Sequence, residues 1–214
     1  MPDAVLHILT YLGDSMLLIP TAVIMAVLIG WKNSDRRAAI WWLLAFCTAG
    51  AIVSLSKIAF LGFGIGSARF NFTGFSGHST MSAALWPVML WLLTGRLADR
   101  WRHLAIATGY LIPLLVGLSR LILNYHSESE VLCGLILGFT LSTAFLLSQR
   151  RAQLQGFSAL QLGIALLVPL LLIGHGRIAT TQQFLQRLSV QIAGIDHAWT
   201  RDELLKLRQE TSVK

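Results

Sequence analysis

The chain has 214 residues, of which 55% are hydrophobic and only 13% are charged. A soluble domain carries about a quarter charged residues, so this composition excludes an ordinary soluble globular protein. The net charge of +7 could suggest nucleic-acid binding, but lysine and arginine gather in short clusters between apolar runs, as they do in membrane proteins. We therefore expect the lipid bilayer, and not nucleic acid, to be the partner of this surface.

Six apolar runs follow one another along the chain and predict an all-α membrane protein. A bilayer core takes about 20 helical residues, within a range of about 17–25, so we read each run as one spanning helix that extends into its polar flanks. Because the breaks are short, we expect one six-span bundle in residues 1–176, followed by a polar, partly amphipathic tail in 177–214. The runs are Ser15–Ile29, Ala38–Leu61, Ser79–Leu93, Leu104–Leu118, Val131–Leu147 and Ala159–Ile173.

The positive charges predict how this bundle is oriented. If six spans alternate, the first, third and fifth connections lie on one side, and the positive-inside rule makes that side cytoplasmic. Both termini and the second and fourth connections then face outward. We expect a bacterial cytoplasmic (inner) membrane protein whose functional site faces the periplasm or exterior. The charges are Lys32, Arg36 and Arg37, then Arg96, Arg100 and Arg102, then Arg150 and Arg151.

The second connection ends in Phe75-Ser76-Gly77-His78, directly before the third apolar run. A small, glycine-containing turn that enters a helix leaves free backbone N–H groups, and these together with the helix dipole favour a bound phosphate. His78 then lies on the first turn, where it could donate a proton to a leaving oxygen. The alternative interpretation is an ordinary turn with an interfacial histidine.

The fourth connection contains Ser119-Arg120, then His126 and Glu130. Because His126 and Glu130 are four residues apart, they would touch on one face of a helix. A carboxylate that accepts from one ring nitrogen leaves the other nitrogen free as a nucleophile or base, and the guanidinium of Arg120 suits phosphate oxygens. The alternative is an interfacial loop with a carboxylate at a helix start, which the helix dipole favours anyway.

Two further cations fall near the same predicted face. Lys57 lies near the outer end of the second run, and Arg69 follows twelve residues later. A lysine in that place can also extend to the headgroups without any function. Taken together, cations for phosphate, a histidine backed by a carboxylate and a second histidine form a set for phosphoryl transfer that needs no metal and no cofactor.

These residues resemble the PAP2 (type 2 phosphatidic acid phosphatase) superfamily, whose motifs are KxxxxxxRP, PSGH and SRxxxxxHxxxD. The stretch from Ser119 to Glu130 matches the third motif in spacing, with Glu130 in place of the final aspartate. Phe75 replaces the proline of the second motif. The first motif matches least well, because Lys57 and Arg69 are too far apart and no proline follows. The resemblance covers roughly Asp14–Ile173 and implies a PAP2/chloroperoxidase-like core.

The resemblance also implies a mechanism, in which His126 attacks phosphorus, Glu130 orients it and His78 protonates the leaving group. The implied phosphate-binding groups are Lys57, Arg69, Ser76, Gly77 and Arg120. The implied function is metal-independent dephosphorylation of a membrane lipid: an isoprenyl pyrophosphate, phosphatidylglycerophosphate, phosphatidic acid or a lipid A phosphate. Three alternatives remain open: a lipid phosphotransferase, a non-catalytic lipid-binding or transport protein, and a metal site formed by His126, Glu128 and Glu130.

Overall fold

The computed structural model describes residues 2–32, 36–95, 97–150, 171 and 181–212. Within these ranges eight helices have defined bounds, and one isolated β-bridge joins Ser67 to Phe72. The helices are α1 (Pro2–Tyr11), α2 (Ser15–Lys32), α3 (Arg37–Phe63), α4 (Gly77–Leu93), α5 (Asp99–Ile122), α6 (Glu128–Ser148), α7 (Thr181–Ala193) and α8 (Arg201–Ser212).

Three of these helices are long and apolar enough to cross a bilayer, namely α3, α5 and α6. A fourth crossing results if Val5–Tyr11 and Ser15–Trp31, which meet at a bend of 41°, count as one broken span. The prediction of an all-helical membrane protein is confirmed for the described residues, whereas the count of six spans is not. The predicted run Ala159–Ile173 lies outside the described residues, apart from Leu171.

The central helix of the bundle is α4, which contacts α2, α3, α5 and α6. Its closest neighbours approach it through glycines: a Cβ atom added at Gly109 of α5 would stand 2.7 Å from the Cα of Pro87, and one added at Gly138 of α6 would collide with the carbonyl of Thr80. Small residues allow helices in membranes to pack this closely. Helix α4 therefore holds its first turn, which carries His78, in a fixed place between α5 and α6.

Apolar side chains point both into the bundle and away from it. The main core cluster includes fully or almost fully buried residues of α2, α3 and α4, while large aliphatic residues on the outer faces of the long helices are more than half exposed. An outer surface of this kind suits hydrocarbon and not water. Core examples are Leu18, Ile29, Trp42, Leu85 and Val88, and outward examples are Ile40, Leu55, Leu111, Leu132 and Ile136.

The C-terminal segment of α7 and α8 folds back onto the end of α3. Leu185 of α7 and Leu204 of α8 are buried against Phe60 and Leu61, and the backbone N–H of Trp199 donates to the carbonyl of Leu61 at 2.9 Å. The predicted boundary at residue 176 lies outside the described residues, so the division into a membrane domain and a tail stays a prediction. The described part of that tail nevertheless packs on the bundle.

Candidate active site

A cavity of about 750 Å³ opens at one end of the bundle. Its lining comes from α1, the start of α2, the end of α3, the connection before α4, the start of α4, the end of α5, the connection before α6 and the C-terminal segment. The sequence-predicted residues that line it are Lys57, His78, Arg120 and His126. The helical packing thus brings together four of the predicted groups from four different segments, at the end of the bundle where both the N-terminal helix and the C-terminal segment lie.

The His126–Glu130 pair is built by the start of α6. Ser127 is the N-cap residue, its hydroxyl accepts from the N–H of Glu130, and the Glu130 carboxylate accepts from the N–H of Ser127 at 3.2 Å. This reciprocal capping box turns the glutamate side chain back towards the preceding residue. His126 Nδ1 consequently lies 2.7 Å from Glu130 Oε2. The two residues touch as expected, although His126 precedes the helix and does not share a helical face with Glu130.

Glu130 is fully buried, and groups from two distant segments hold its carboxylate. The backbone N–H of Thr73 donates to Oε1 at 2.8 Å, and the Thr73 hydroxyl donates to the same oxygen. Arg201 Nη2 lies 2.9 Å from Oε1 and 2.8 Å from Oε2. A buried carboxylate requires such partners, because an unpaired buried charge is costly. Neither Thr73 nor Arg201 was predicted from the sequence.

The environment of His126 favours its neutral imidazole. Burial lowers the pKa of His126 below its ordinary value, and the nearby cations Lys57 and Arg120 lower it further, while the hydrogen bond and charge of Glu130 oppose this shift. With Nδ1 bound to Glu130, the ring nitrogen left for chemistry is Nε2. A neutral imidazole that is oriented by a carboxylate is a competent nucleophile.

His78 is the second residue of α4, and the N-cap of that helix is Ser76. Its Nε2 lies 3.9 Å from Oδ2 of Asp14, whose other carboxylate oxygen accepts from the N–H of Met16 at the start of α2. Burial lowers the pKa of His78 to about 3, and the nearby charges of Arg120 and Lys57 act in the same direction. The negative charge of Asp14 opposes this shift, so the carboxylate favours the protonated imidazole that a proton donor needs. The sequence analysis missed Asp14, although an aspartate directly before an apolar helical run is a typical N-cap signal.

Two cations face the cavity with different partners. Lys57 Nζ donates to the side-chain carbonyl of Gln182 at 2.8 Å. The Arg120 guanidinium lies over the ring of Tyr125, with Cζ 4.3 Å from the ring centroid. Its Nε is buried and has no hydrogen-bond partner among the described residues. A buried donor without a partner is unfavourable, so an anion bound in the cavity would supply the hydrogen-bond acceptor that this N–H group lacks.

Comparisons with known proteins agree with this arrangement. A family model described as the PAP2 superfamily matches residues 64–154, which include His78, Arg120, His126 and Glu130. The solved structure of a transmembrane PAP2-type phosphatidylglycerolphosphate phosphatase from Bacillus subtilis superposes with a TM-score of 0.55 at 25% identity, covering 70% of this chain and 77% of that one. The chain belongs to the PAP2 superfamily.

A relative that extends over almost the whole length is a protein of Klebsiella pneumoniae described as an uncharacterized 22.5 kDa protein in a cps region. It is 40% identical over 203 residues, which cover 94% of this chain and 97% of that protein. The similarity therefore includes the C-terminal segment, which lies beyond the region that the PAP2 family model matches.

Two of the predicted phosphate-binding residues do not reach this PAP2 cavity. Arg69 is exposed, lies over the ring of Phe70 at 5.4 Å from its centroid, and is not among the residues that line the cavity. The Ser76 hydroxyl is fully buried and bonds to the Ser79 hydroxyl at 2.9 Å as part of the N-cap. Their expected positions at the phosphate are thus not seen.

The remaining predicted residue, Gly77, lines a second cavity of about 170 Å³ that also touches Lys57 and His78. The alternative metal site is not assembled: within the described ranges no group of three or more His, Cys, Asp or Glu side chains could hold a metal ion. Glu128 is exposed, whereas Glu130 is buried, so the two carboxylates point to different surroundings.

Proposed function

We propose that this PAP2 protein is a phosphatase that removes phosphate from a membrane lipid phosphate or pyrophosphate without a metal, through a phosphohistidine at His126. The observation that carries the proposal is the pairing of His126 Nδ1 with the buried Glu130 beside a cavity lined by Lys57 and Arg120. This arrangement leaves an oriented, neutral Nε2 next to two cations that suit phosphate oxygens.

The proposed reaction has two steps. In the first, the lone pair of His126 Nε2 attacks phosphorus, the bond from phosphorus to the leaving oxygen breaks, and His78 gives that oxygen its proton. In the second, water attacks the phosphohistidine, His78 takes a proton from the water, and the N–P bond breaks to release phosphate. The first step consumes the protonated form of His78 and the second restores it. Because burial and nearby cations lower the pKa of His78, that form requires negative charge close to the ring, from Asp14 at 3.9 Å and from the bound phosphate itself.

A lipid substrate fits the surroundings of these residues. The smaller cavity shares Lys57, His78 and Gln182 with the larger one and continues between the first turn of α4, α2 and α3, where its lining is largely apolar: Ile19, Val53, Met81 and Leu185. A phosphate bound at the histidines would thus lie next to an apolar slot at the edge of the bundle. Candidate substrates are phosphatidylglycerophosphate, which the Bacillus subtilis protein's name indicates for that enzyme, phosphatidic acid, isoprenyl pyrophosphates and lipid A phosphates.

The distribution of charge supports an outward-facing site in a bacterial inner membrane. The predicted cytoplasmic connections carry the clusters of arginine and lysine. The cavity is lined by residues of the opposite connections, whose charged and polar side chains are explained by a functional site and not by the charge bias. A site on the outer leaflet would receive its lipid laterally within the membrane.

A phosphate-release screen tests the proposal. Purified protein would be given each candidate lipid in detergent micelles with a strong chelator present, and free phosphate would be measured beside the His126→Ala variant. We expect release from at least one lipid, unaffected by the chelator and absent in the variant. No release from any lipid, release that the chelator abolishes, or equal release by the variant would contradict it. Labelled phosphate that appears on a second lipid, and not in water, would instead show a phosphotransferase.

A further inference from the structure

We propose that Arg201, contributed by the C-terminal segment, is a positioning residue that holds Glu130 in the orientation in which its carboxylate directs His126. The inference rests on the proposed function, because it concerns the same His126–Glu130 pair. Arg201 is 71 residues from Glu130 along the chain and lies outside residues 64–154, which the family model matches. No motif of the family therefore points to it.

The contacts of Arg201 are specific. Nη2 reaches both oxygens of Glu130, at 2.8 and 2.9 Å, and Nη1 donates to the side-chain oxygen of Asn71 at 3.1 Å. Glu130 has no exposure, whereas Arg201 is about a third exposed, with a side-chain value of 31%. One guanidinium thus bridges the buried carboxylate and the turn before α4, with its outer side at the cavity.

The ion pair between Arg201 and Glu130 compensates the buried negative charge of the carboxylate. Burial lowers the pKa of His126, so this histidine is a weak source of positive charge for Glu130. An ionised carboxylate that is fully buried needs a cation, and removing one partner of such a pair is far more damaging than removing both. Arg201 provides that cation within ion-pair distance, while Lys57 is bound to Gln182 and Arg120 lies over Tyr125.

Arg201 also fits the two departures from the family motifs. Glu130 has one methylene more than the family's aspartate, so its carboxylate lies farther from the backbone and has an additional rotatable bond to fix. Arg69, the arginine predicted from the first motif, is not among the residues that line the cavity. In this chain a guanidinium enters the site from the C-terminal segment, and it does so at the longer carboxylate.

The local structure holds Arg201 in place. Thr200 and Glu203 form a reciprocal cap: Thr200 N–H donates to the Glu203 carboxylate at 2.7 Å, and Glu203 N–H donates to the Thr200 hydroxyl at 3.4 Å. Arg201 is the first residue of α8, directly after this cap. Because Leu204 is buried one turn later, and Trp199 bonds to Leu61 just before, the backbone at Arg201 is anchored on both sides.

The test compares Arg201→Gln and Arg201→Lys with Arg187→Gln, an exposed arginine of the same segment. We expect kcat of Arg201→Gln to fall by up to about 100-fold, the size that misplacement of a reacting group can cause, with little change in KM. Arg201→Lys should recover part of this loss, and Arg187→Gln should match the wild type. Equal kcat in Arg201→Gln and Arg187→Gln would overturn the proposal.

The pH dependence separates positioning from simple destabilisation. The groups around His126 are Glu130, Lys57, Arg120 and His78. Without Arg201 the Glu130 carboxylate becomes more basic and holds the His126 proton more strongly, so the acid limb of kcat/KM should move to higher pH. A variant that only folded less well would have a lower kcat/KM at every pH, without a shift of the acid limb. That result would count against the proposal.

Two further measurements keep the outcomes distinct. If Arg201→Gln does not accumulate in the membrane, the Glu130→Gln/Arg201→Gln double variant, which removes both charges, should restore accumulation; failure of both would place the role of Arg201 elsewhere. NMR titration of the His126 ring reports the same shift without turnover.

The His126→Ala variant distinguishes failure of the proposed function from failure of this inference. A fully active His126→Ala protein would refute the proposed function. An inactive His126→Ala protein beside an unaffected Arg201→Gln protein would refute this inference alone.

Discussion

The Oε2 atom of Glu130 lies 2.7 Å from Nδ1 of His126, and the same oxygen accepts from the N–H of Ser127 at 3.2 Å and from Nη2 of Arg201 at 2.8 Å. The same carboxylate oxygen therefore caps α6 and orients the histidine in front of it. Since the helix start fixes the backbone of residues 126–130, the imidazole is held by the local fold as well as by its hydrogen bond. This coupling explains how a glutamate can serve where the family motif has an aspartate.

Shortening this side chain should harm the enzyme. In Glu130→Asp the carboxylate retreats by one methylene and cannot reach His126, Thr73 and Arg201 together, so we expect kcat to fall about tenfold or more. Glu130→Gln, which keeps the length but loses the charge, should cost about 10²–10⁴ in kcat. Steady-state phosphate release measures both. A Glu130→Asp protein faster than the wild type would show that the glutamate weakens the site and is not fitted to it.

The pH profile should report the neutral form of His126. Burial lowers the pKa of His126, so the nucleophile stays deprotonated to a pH below the ordinary histidine value of 6.5. The acid limb of kcat/KM should accordingly have its inflection below 6.5, with activity lost as the pH falls through it. Because Glu130 raises the pKa of His126, Glu130→Gln should move the inflection lower still. An inflection above 6.5 in the wild type would be inconsistent with a buried neutral nucleophile.

The loss of activity in His78→Ala should depend on the leaving group of the substrate. For a lipid alcohol, which leaves poorly without a proton, we expect His78→Ala to lose about 10²–10⁴ in kcat, as is typical of general acid–base catalysis. For an aryl phosphate with an acidic phenol, formation of the phosphohistidine should be much less affected. Pre-steady-state release of the phenol would measure this first step. An equal loss with both substrates would assign His78 a binding role and not proton donation.

The two arginines of the predicted phosphate site should behave differently. Arg120 lines the cavity and has a buried Nε without a partner in the described part of the chain, so Arg120→Ala should lower kcat/KM by about 100-fold or more, as loss of an oriented donor to the transition state does. Arg69 is exposed over Phe70, and Arg69→Ala should remain close to the wild type. A severe loss in Arg69→Ala would mean that the turn carrying it closes over the substrate.

The sequence allowed prediction of the groups whose spacing is local. The separation of His126 and Glu130, and the glycine-containing helix start before His78, each lie within a few residues, so local rules sufficed. Even so, the reason for the His126 contact was different from the one expected, because a capping box and not a shared helical face brings the residues together. The signal was present in Ser127-Glu128-Ser129-Glu130, which has the spacing of a capping box.

The parts that were missed depend on contacts between distant segments. The site is completed by hydrogen bonds and ion pairs between residues that are 57 to 125 positions apart in the chain. The residues that make these contacts are Arg201, Gln182, Thr73 and Asp14. Local spacing carries no information on such pairs. The motif concerns only the position of Arg69 in the chain, and in the structure this residue lies in the turn closed by the Ser67–Phe72 bridge, outside the lining of the cavity.

Trapping of the covalent intermediate tests the central claim most directly. The protein would be mixed with a ³²P-labelled lipid that it hydrolyses, quenched in alkaline detergent after milliseconds to seconds, and digested to locate the label. We predict an acid-labile, base-stable label on the peptide that contains His126, absent from His126→Ala and longer-lived in His78→Ala, because that variant cannot activate water. Turnover without any such label, or the same label in His126→Ala, would contradict the account.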